Sequence, residues 1–335
     1  MTLMHVPVID IAPYRSGDRA AARAVANQVG EACRDIGFLV IAGHGIDPAL
    51  VQRVDDTARA FFDLPLADKM RVARPAPDVT RGYIPLEGEA VAASRGEVTP
   101  GDLNESMMIG PVDVPDADPY FRAPWAGKHF HPNLWPERPT DLRPVWTAYF
   151  RAMGDLAVIV MRIFATALDL REDFFDAKID RHISRLRLRN YPEQPEPPRP
   201  GQLRAGAHAD YGSLTILKAE ANPGGLEVCN QAGDWVAVPI VPGTFVVNLG
   251  ELMARWTNDR WPATLHRVVN PPRTEALGSR RQSIVFFHNP NYDAAIACIP
   301  SCQGPDRPPK YPVITSGDHL RRQFVRTQTQ AETTT

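Results

Sequence analysis

The residues best placed to do chemistry together lie in the second half of the chain. His208-Ala209-Asp210 closes a short apolar run and is followed by Tyr211-Gly212. Residues i and i+2 of a strand face the same side, so the His208 imidazole and the Asp210 carboxylate can point together. A second histidine, His266, comes 56 residues after Asp210, inside Ala263-Thr264-Leu265-His266-Arg267-Val268. Two imidazoles and one carboxylate on one face, with positions left open, suit an oxygen-activating iron(II) centre. The triplet carries little weight alone, because nine histidines and 25 aspartates in 335 residues supply about one H-x-D by chance. On these three residues only, a turn histidine and a satisfied core histidine are the better account.

A second constellation begins 15 residues after His266. Arg281 and Ser283 share a face of the run Arg281-Gln282-Ser283. An arginine aimed into a barrel must be paired, since an unpaired buried charge is very costly. Its planar fork matches a carboxylate in two parallel bonds. An exposed arginine at the start of a strand, like the neighbouring Arg280, fits the residue types equally well. A third pattern is the strict alternation Arg185-Leu186-Arg187-Leu188-Arg189-Asn190-Tyr191. If Tyr191 faces a pocket, Arg185, Arg187 and Arg189 face it too, and Leu186 and Leu188 pack the other way. A bulge or an edge position would turn one or more of these arginines to solvent.

The elements that must position these groups follow from periodicity. After Asp180 come eight short apolar or alternating runs: 183–191, 205–208, 214–218, 226–229, 235–239, 244–249, 263–269 and 283–288. Turn signals such as Asn222-Pro223-Gly224-Gly225 separate them. Strands of this length and spacing predict an antiparallel sandwich or barrel, a jelly roll among the forms available. Upstream the pattern is mixed α/β. Val6 to Ile11 and Gly37 to Ile41 read as strands. Asp18 caps a helix to Ile36, and Asp47-Pro48 opens another to Phe62. Asp141 to Leu170 carries the longest helical stripe.

These readings divide the chain into an N-terminal α/β region over 1–180, a core over 181–300, a C-terminal segment over 301–327 and a disordered tail over 328–335. The first region contains an irregular covering loop over 71–139 and a scaffold helix over 141–170.

Bulk properties narrow the partners. Net charge is -2 with 44% hydrophobic and 23% charged residues, which gives no basic field for nucleic acid or an anionic membrane and favours a small-molecule partner. Four irregularly spaced cysteines suggest reduced thiols rather than a disulfide framework. No leader pattern or bilayer-length apolar run is evident, so a cytoplasmic protein, monomeric or weakly self-associating, is expected.

Several segments carry a family resemblance. HADYG, VNLGELMARWTNDRWPATLHRVVNPP and RQSIVFFHNPN resemble the isopenicillin-N-synthase-like branch of the iron(II)/2-oxoglutarate-dependent oxygenases. VPVIDI, GFLVIAGHGID, FFDLPLADK and RGY match its N-terminal region in the same order. The resemblance covers nearly the whole chain and implies a double-stranded β-helix (jelly roll) wrapped by N-terminal helices.

It also implies iron(II) on His208, Asp210 and His266, 2-oxoglutarate on Arg281, Ser283 and Tyr191, and dioxygen as oxidant. The activity implied is oxidation of a small molecule by hydroxylation, desaturation or cyclisation. Some members keep the R-x-S pair without using 2-oxoglutarate, so the pair speaks for a carboxylate and not for which one. Arg189 stands where many plant members have asparagine, which implies a more cationic pocket. Arg187 or Arg189 is then expected on the keto-acid end of the cosubstrate or on an anionic substrate.

Gly96-Glu97-Val98-Thr99-Pro100-Gly101 and FFHNPNYDAAI are similar to the bacterial ethylene-forming enzyme, which makes Glu97 and Thr99 candidate substrate contacts. Tyr211, Phe286 and Phe287 are among the residues expected in the pocket wall. The alternatives left open are an ethylene-forming, arginine-oxidising enzyme, a 2-oxoglutarate-independent oxidase, and an inactive binding protein of the same fold.

Overall fold

The computed structural model describes residues 5–76, 78–125 and 129–332. β1 (Val8–Asp10) leads into α1 (Arg19–Asp35), where the Asp18 carboxylate accepts hydrogen bonds from the amides of Ala20 and Ala21. That cap satisfies two of the donors a helix start leaves open. β2 (Phe38–Ala42) and α2 (Pro48–Phe62) follow, the latter capped by Asp47 and opened by Pro48 as the sequence predicts. α3 (Leu66–Met70), β3 (Gly82–Ile84) and β4 (Glu105–Ile109) come next. α4 (Leu142–Ala167) buries a stripe through Val145, Tyr149, Met153, Leu156, Val160 and Phe164, and α1 and α2 pack against it. Trp146 Nε1 donates to Thr57 Oγ1 at 3.0 Å, which sets α4 against α2.

After α5 (Asp176–Ile179) the chain runs through eight strands. They are β5 (Arg185–Tyr191), β6 (Ala205–His208), β7 (Leu214–Ala219), β8 (Leu226–Cys229), β9 (Trp235–Ala237), β10 (Phe245–Leu249), β11 (His266–Val268) and β12 (Arg281–His288), with α6 (Glu251–Trp256) between β10 and β11. Four of these form the order β10-β7-β12-β5 and the other four the order β6-β11-β8-β9. Two four-stranded sheets face to face are the expected jelly roll. β13 (Ala295–Ile296), β14 (Ile314–Thr315) and α7 (Ser316–Glu332) close the chain.

The expected boundary at residue 180 separates the chain in order but not in space. β1 and β2 extend the larger sheet at one edge, and β4 and β3 extend it at the other, giving eight strands in the order β1-β2-β10-β7-β12-β5-β4-β3. β3 and β4 lie inside 71–139, where only irregular chain is expected. The reason is visible at Glu105. It is buried and bonded to Lys69 Nζ at 2.7 Å, to the Tyr83 hydroxyl and to Asn190. A charged residue serving as a core residue hides the strand from a hydrophobicity pattern.

The tail also differs from expectation. α7 runs through Glu332, because nothing from Arg321 onward is Gly or Pro to stop it. The final three positions of the expected disordered tail, 333–335, lie outside the described residues. The four cysteines are free thiols.

Two apolar layers flank the larger sheet. Leu186, Leu188, Ile216, Ile284 and Phe286 face α4 and its neighbours, whereas Phe38, Val40, Tyr191, Val228, Val246 and Val268 fill one end of the space between the sheets. The other end of that space stays open as the site.

Candidate active site

His208 ends β6, Asp210 lies two residues beyond it, and His266 opens β11, opposite His208 in register. Their ligand atoms all lie within 4.8 Å of one another. Asp210 Oδ1 is 3.9 Å from His208 Nε2 and 3.8 Å from His266 Nε2. His208 Nδ1 faces the Gly206 carbonyl at 2.8 Å, and His266 Nδ1 faces the Thr264 carbonyl at 3.2 Å. A carbonyl only accepts, so each Nδ1 carries the proton and each Nε2 offers a lone pair to the centre.

Asp210 turns its other oxygen away, accepting from Thr215 Oγ1 at 2.6 Å and Asn248 Nδ2 at 2.7 Å. Burial and the neighbouring His266 push His208 down to about 3, so at neutral pH it is an uncharged imidazole, available as a ligand, rather than half of an ion pair. Burial alone would raise Asp210, but the two imidazoles and the two hydrogen bonds hold it below the ordinary carboxylate range.

Local packing sets this geometry. A Cβ on Gly206 would sit 2.8 Å from Ala92 Cβ, so β6 lies tightly under the 3-10 turn Val91–Arg95. Asp102 ties the two together, accepting from the amides of Val91 and Gly206 at 3.0 Å each. Burial pushes its carboxyl up to about 6 against those two bonds. On the far side the α6 amides of Glu251 and Leu252 donate to the carbonyls of Asp210 and Tyr211, and thereby brace the segment that follows His208.

Arg281, Ser283 and Tyr191 come together on the same side of the larger sheet. Ser283 Oγ donates to the Tyr191 hydroxyl at 3.4 Å, and the Arg281 guanidinium lies 5.7 Å from the Tyr191 ring centre. Arg281 is 2% exposed, donates to the Gly224 carbonyl, keeps Nε without a partner and pairs with no carboxylate among the described residues. Burial lowers its pKa. A buried fork lacking its anion is what a bound dicarboxylate would complete.

In front lies a cavity of about 300 Å³ lined by His208, Asp210, Tyr211, Arg189, Arg187 and Arg185, among others. All three β5 arginines face it, as period-2 geometry predicts. Arg189 reaches Asn104 Oδ1 at 3.5 Å. Arg187 pairs with Glu89 at 2.6 Å and bonds Ser106 Oγ at 2.8 Å.

Three expected contacts do not line the cavity. Phe286 is fully buried against Phe150 at 5.2 Å, on the helix side. Arg281 and Ser283 already fix the parity of β12, so Phe287 takes the cavity position. Glu97 is exposed and paired with Arg95 at 3.0 Å. Thr99 is half-buried and also away from the cavity wall. The segment reaches the cavity earlier, through Glu89, Val91 and Ser94. Glu89 bonds both Arg187 and Arg74. Burial would raise its carboxyl, but these arginines hold it down at about 2. No periodic signal marks Glu89, and only the RGY match touches its neighbour in the wall, Arg81.

Comparison with known proteins settles the family. Residues 182–290 match the model of the 2OG-Fe(II) oxygenase superfamily, and residues 6–138 match that of the non-haem dioxygenase in morphine synthesis N-terminal. The chain is 34% identical to the 2-oxoglutarate-Fe(II) type oxidoreductase hxnY of Emericella nidulans, over 97% of this chain and 91% of that one. The chain belongs to the 2OG-Fe(II) oxygenase superfamily.

The oxygenase is also 31% identical to homoarginine-6-hydroxylase of Oryza sativa subsp. japonica, over 94% of its own length and 95% of the relative's. Its fold matches that of a full-length Neurospora crassa protein, solved in complex with alpha-KG and thymine, with a TM-score of 0.81, at 31% identity over 98% and 97% of the two chains. A Caulobacter crescentus 2OG-Fe(II) oxygenase family protein matches with a TM-score of 0.82 at 30% identity, over 96% and 99% of the two chains. The protein is an iron(II)/2-oxoglutarate-dependent dioxygenase that uses dioxygen and acts on a small molecule. A 2-oxoglutarate-independent oxidase and an inactive binding protein are thereby set aside. Among the described residues no helix is long and apolar enough to cross a membrane.

Proposed function

We propose that His208, Asp210 and His266 hold the iron, that Arg281, Ser283 and Tyr191 hold the far carboxylate of 2-oxoglutarate, and that the cavity beside them receives the substrate. The observation that carries this reading is the donor set. Two Nε2 lone pairs and one carboxylate oxygen converge within 4.8 Å, each fixed from behind by a hydrogen bond. Two imidazoles and one carboxylate with open positions fit iron(II), and the orphaned Arg281 Nε fits a dicarboxylate.

When bound, iron(II) and 2-oxoglutarate supply the oxidation, consuming dioxygen and releasing succinate and carbon dioxide. The chain contributes placement. Thr215 and Asn248 keep Asp210 from rotating, the Gly206 and Thr264 carbonyls keep both imidazoles in one tautomer, and the Arg281 fork orients the cosubstrate. Arg189, which lines the cavity and lies opposite Ser283 in register, would meet the keto-acid end. Hydroxylation is the outcome we assign, in line with the activity for which the homoarginine relative is named.

The test is succinate formation from 2-oxoglutarate with iron(II) under air, beside a His208→Ala variant that retains the wild-type melting temperature. Loss of succinate in the variant supports the assignment. Equal turnover in the two proteins would sink it.

A further inference from the structure

We propose that Arg185 and Arg81 form a carboxylate subsite in the cavity wall and that the molecule oxidised is a small organic acid anchored there. This rests on the assignment of 2-oxoglutarate to the Arg281 clamp.

The cavity holds more cations than its own acids neutralise. Arg74, Arg81, Arg185, Arg187 and Arg189 line it, and the carboxylates in its wall are Glu89 and Asp210. Glu89 is taken by Arg74 and Arg187, at 2.7 and 2.6 Å. Asp210 is taken by Thr215, Asn248 and the two imidazoles. Arg81 and Arg185 are left with no carboxylate partner among the described residues.

Arg81 is 1% exposed. Among the described residues it donates to the Thr80 carbonyl and hydroxyl and to the His129 carbonyl, and its Nε has no partner there. Arg185 is held by an aromatic face instead, its guanidinium 5.0 Å from the Phe324 ring centre. Burial lowers both guanidinium pKa values, to about 9 for Arg81 and about 10 for Arg185, and in each case the next cause is another arginine. A buried and a half-buried cation facing one ligand cavity become a stable arrangement when an anion arrives between them.

The cosubstrate cannot be that anion. Along β5 and β12 the register pairs Tyr191 with Arg281, Arg189 with Ser283, Arg187 with Val285 and Arg185 with Phe287. Arg185 is therefore six residues from Tyr191, roughly 20 Å at the strand rise, beyond the reach of a five-carbon diacid held at the clamp. One strand thus carries two separate anion positions, with Arg187 neutralised by Glu89 between them. The remaining wall offers Tyr211, Phe287 and Phe324, which suits a flat apolar body behind the carboxylate. At about 300 Å³ the space is at the small end for ligand sites.

The experiment pairs small acids with their uncharged amides: benzoate with benzamide, phenylacetate with phenylacetamide, cinnamate with cinnamamide. Binding is read as the shift in melting temperature of the protein carrying iron(II) and 2-oxoglutarate without oxygen. Stimulation of succinate formation is read in air. At least one acid is expected to bind about 10- to 100-fold more tightly than its amide, the range a charge-assisted pair is worth. Arg185→Gln should erase that preference, and Arg185→Lys should keep part of it. Unliganded melting curves confirm that both variants fold.

Amides binding as well as acids, no acid binding at all, or a preference that survives Arg185→Gln would each overturn the subsite. Failure of the underlying reading looks different: an unchanged KM for 2-oxoglutarate in Arg281→Gln sinks the clamp, while the melting shifts still report on Arg185.

Discussion

Asp210 is oriented by donors from two strands, Thr215 on β7 and Asn248 on β10. Hydrogen bonds behind a metal ligand fix its rotamer, and their loss typically costs 10- to 100-fold in metal affinity. Thr215→Val keeps the shape and removes one bond, so iron(II) affinity should fall by about 10-fold or more, measured by competition with a chelator. An unchanged affinity would mean that Asn248 alone holds the carboxylate. Arg281→Gln removes the fork and should raise the KM for 2-oxoglutarate by about 10- to 100-fold with a smaller change in kcat, since hydrogen bonds to charged groups are worth about 1.5–3 kcal/mol. Strand parity predicts the facing of individual residues well here, as along β5. Phe286 departs from its expected place because a step of one residue along β12 exchanges cavity for core.

Among the elements, β6 has little room beneath its neighbour. It lies beneath the turn Val91–Arg95 with Gly206 against Ala92, and Asp102 joins the two. Gly206→Ala places a methyl 2.8 Å from Ala92 Cβ. Overpacking of this kind costs about 1–3 kcal/mol, and the displaced strand carries His208. The expected outcome is a lower melting temperature together with weaker iron binding. Loss of stability alone would show that β6 yields without moving the ligand. β3 and β4 escape the sequence pattern because their role is to bury Glu105 with Lys69, Tyr83 and Asn190, and a charge in the core breaks the apolar alternation by which strands are found.

For the molecule as a whole, histidines away from the candidate metal ligands link stability to pH. His182 stacks on Phe150 and is held at about 4 by burial; burial also places His288 well below the ordinary value. A depressed histidine stays neutral in the folded chain but protonates near 6.5 when unfolded. It therefore costs no stability above about 6.5, and as pH falls from there towards 4 the unfolded chain gains a proton that the folded one refuses. For His182 the loss by pH 5 is about 2 kcal/mol. Thermal melts of wild type and His182→Phe should diverge between pH 7 and pH 5, with the variant showing the flatter dependence. Parallel curves would mean that the imidazole is already hydrated in the folded state.

Strand and helix class, the caps at Asp18 and Asp47, and the facing of Arg185, Arg187 and Arg189 are legible in the chain read alone. So are the three candidate ligands, once the clamp residues stand in order beside them. These are local properties: parity, capping and the ordered spacing of motifs survive without knowledge of what packs against them. It took the packed molecule to show that Glu89 neutralises Arg187, that Glu97 and Thr99 stay outside, and that Arg81 and Phe324 arrive beside Arg185 from distant parts of the chain. Whether a buried charge has a partner depends on groups far apart in sequence, and neither period nor composition records that distance.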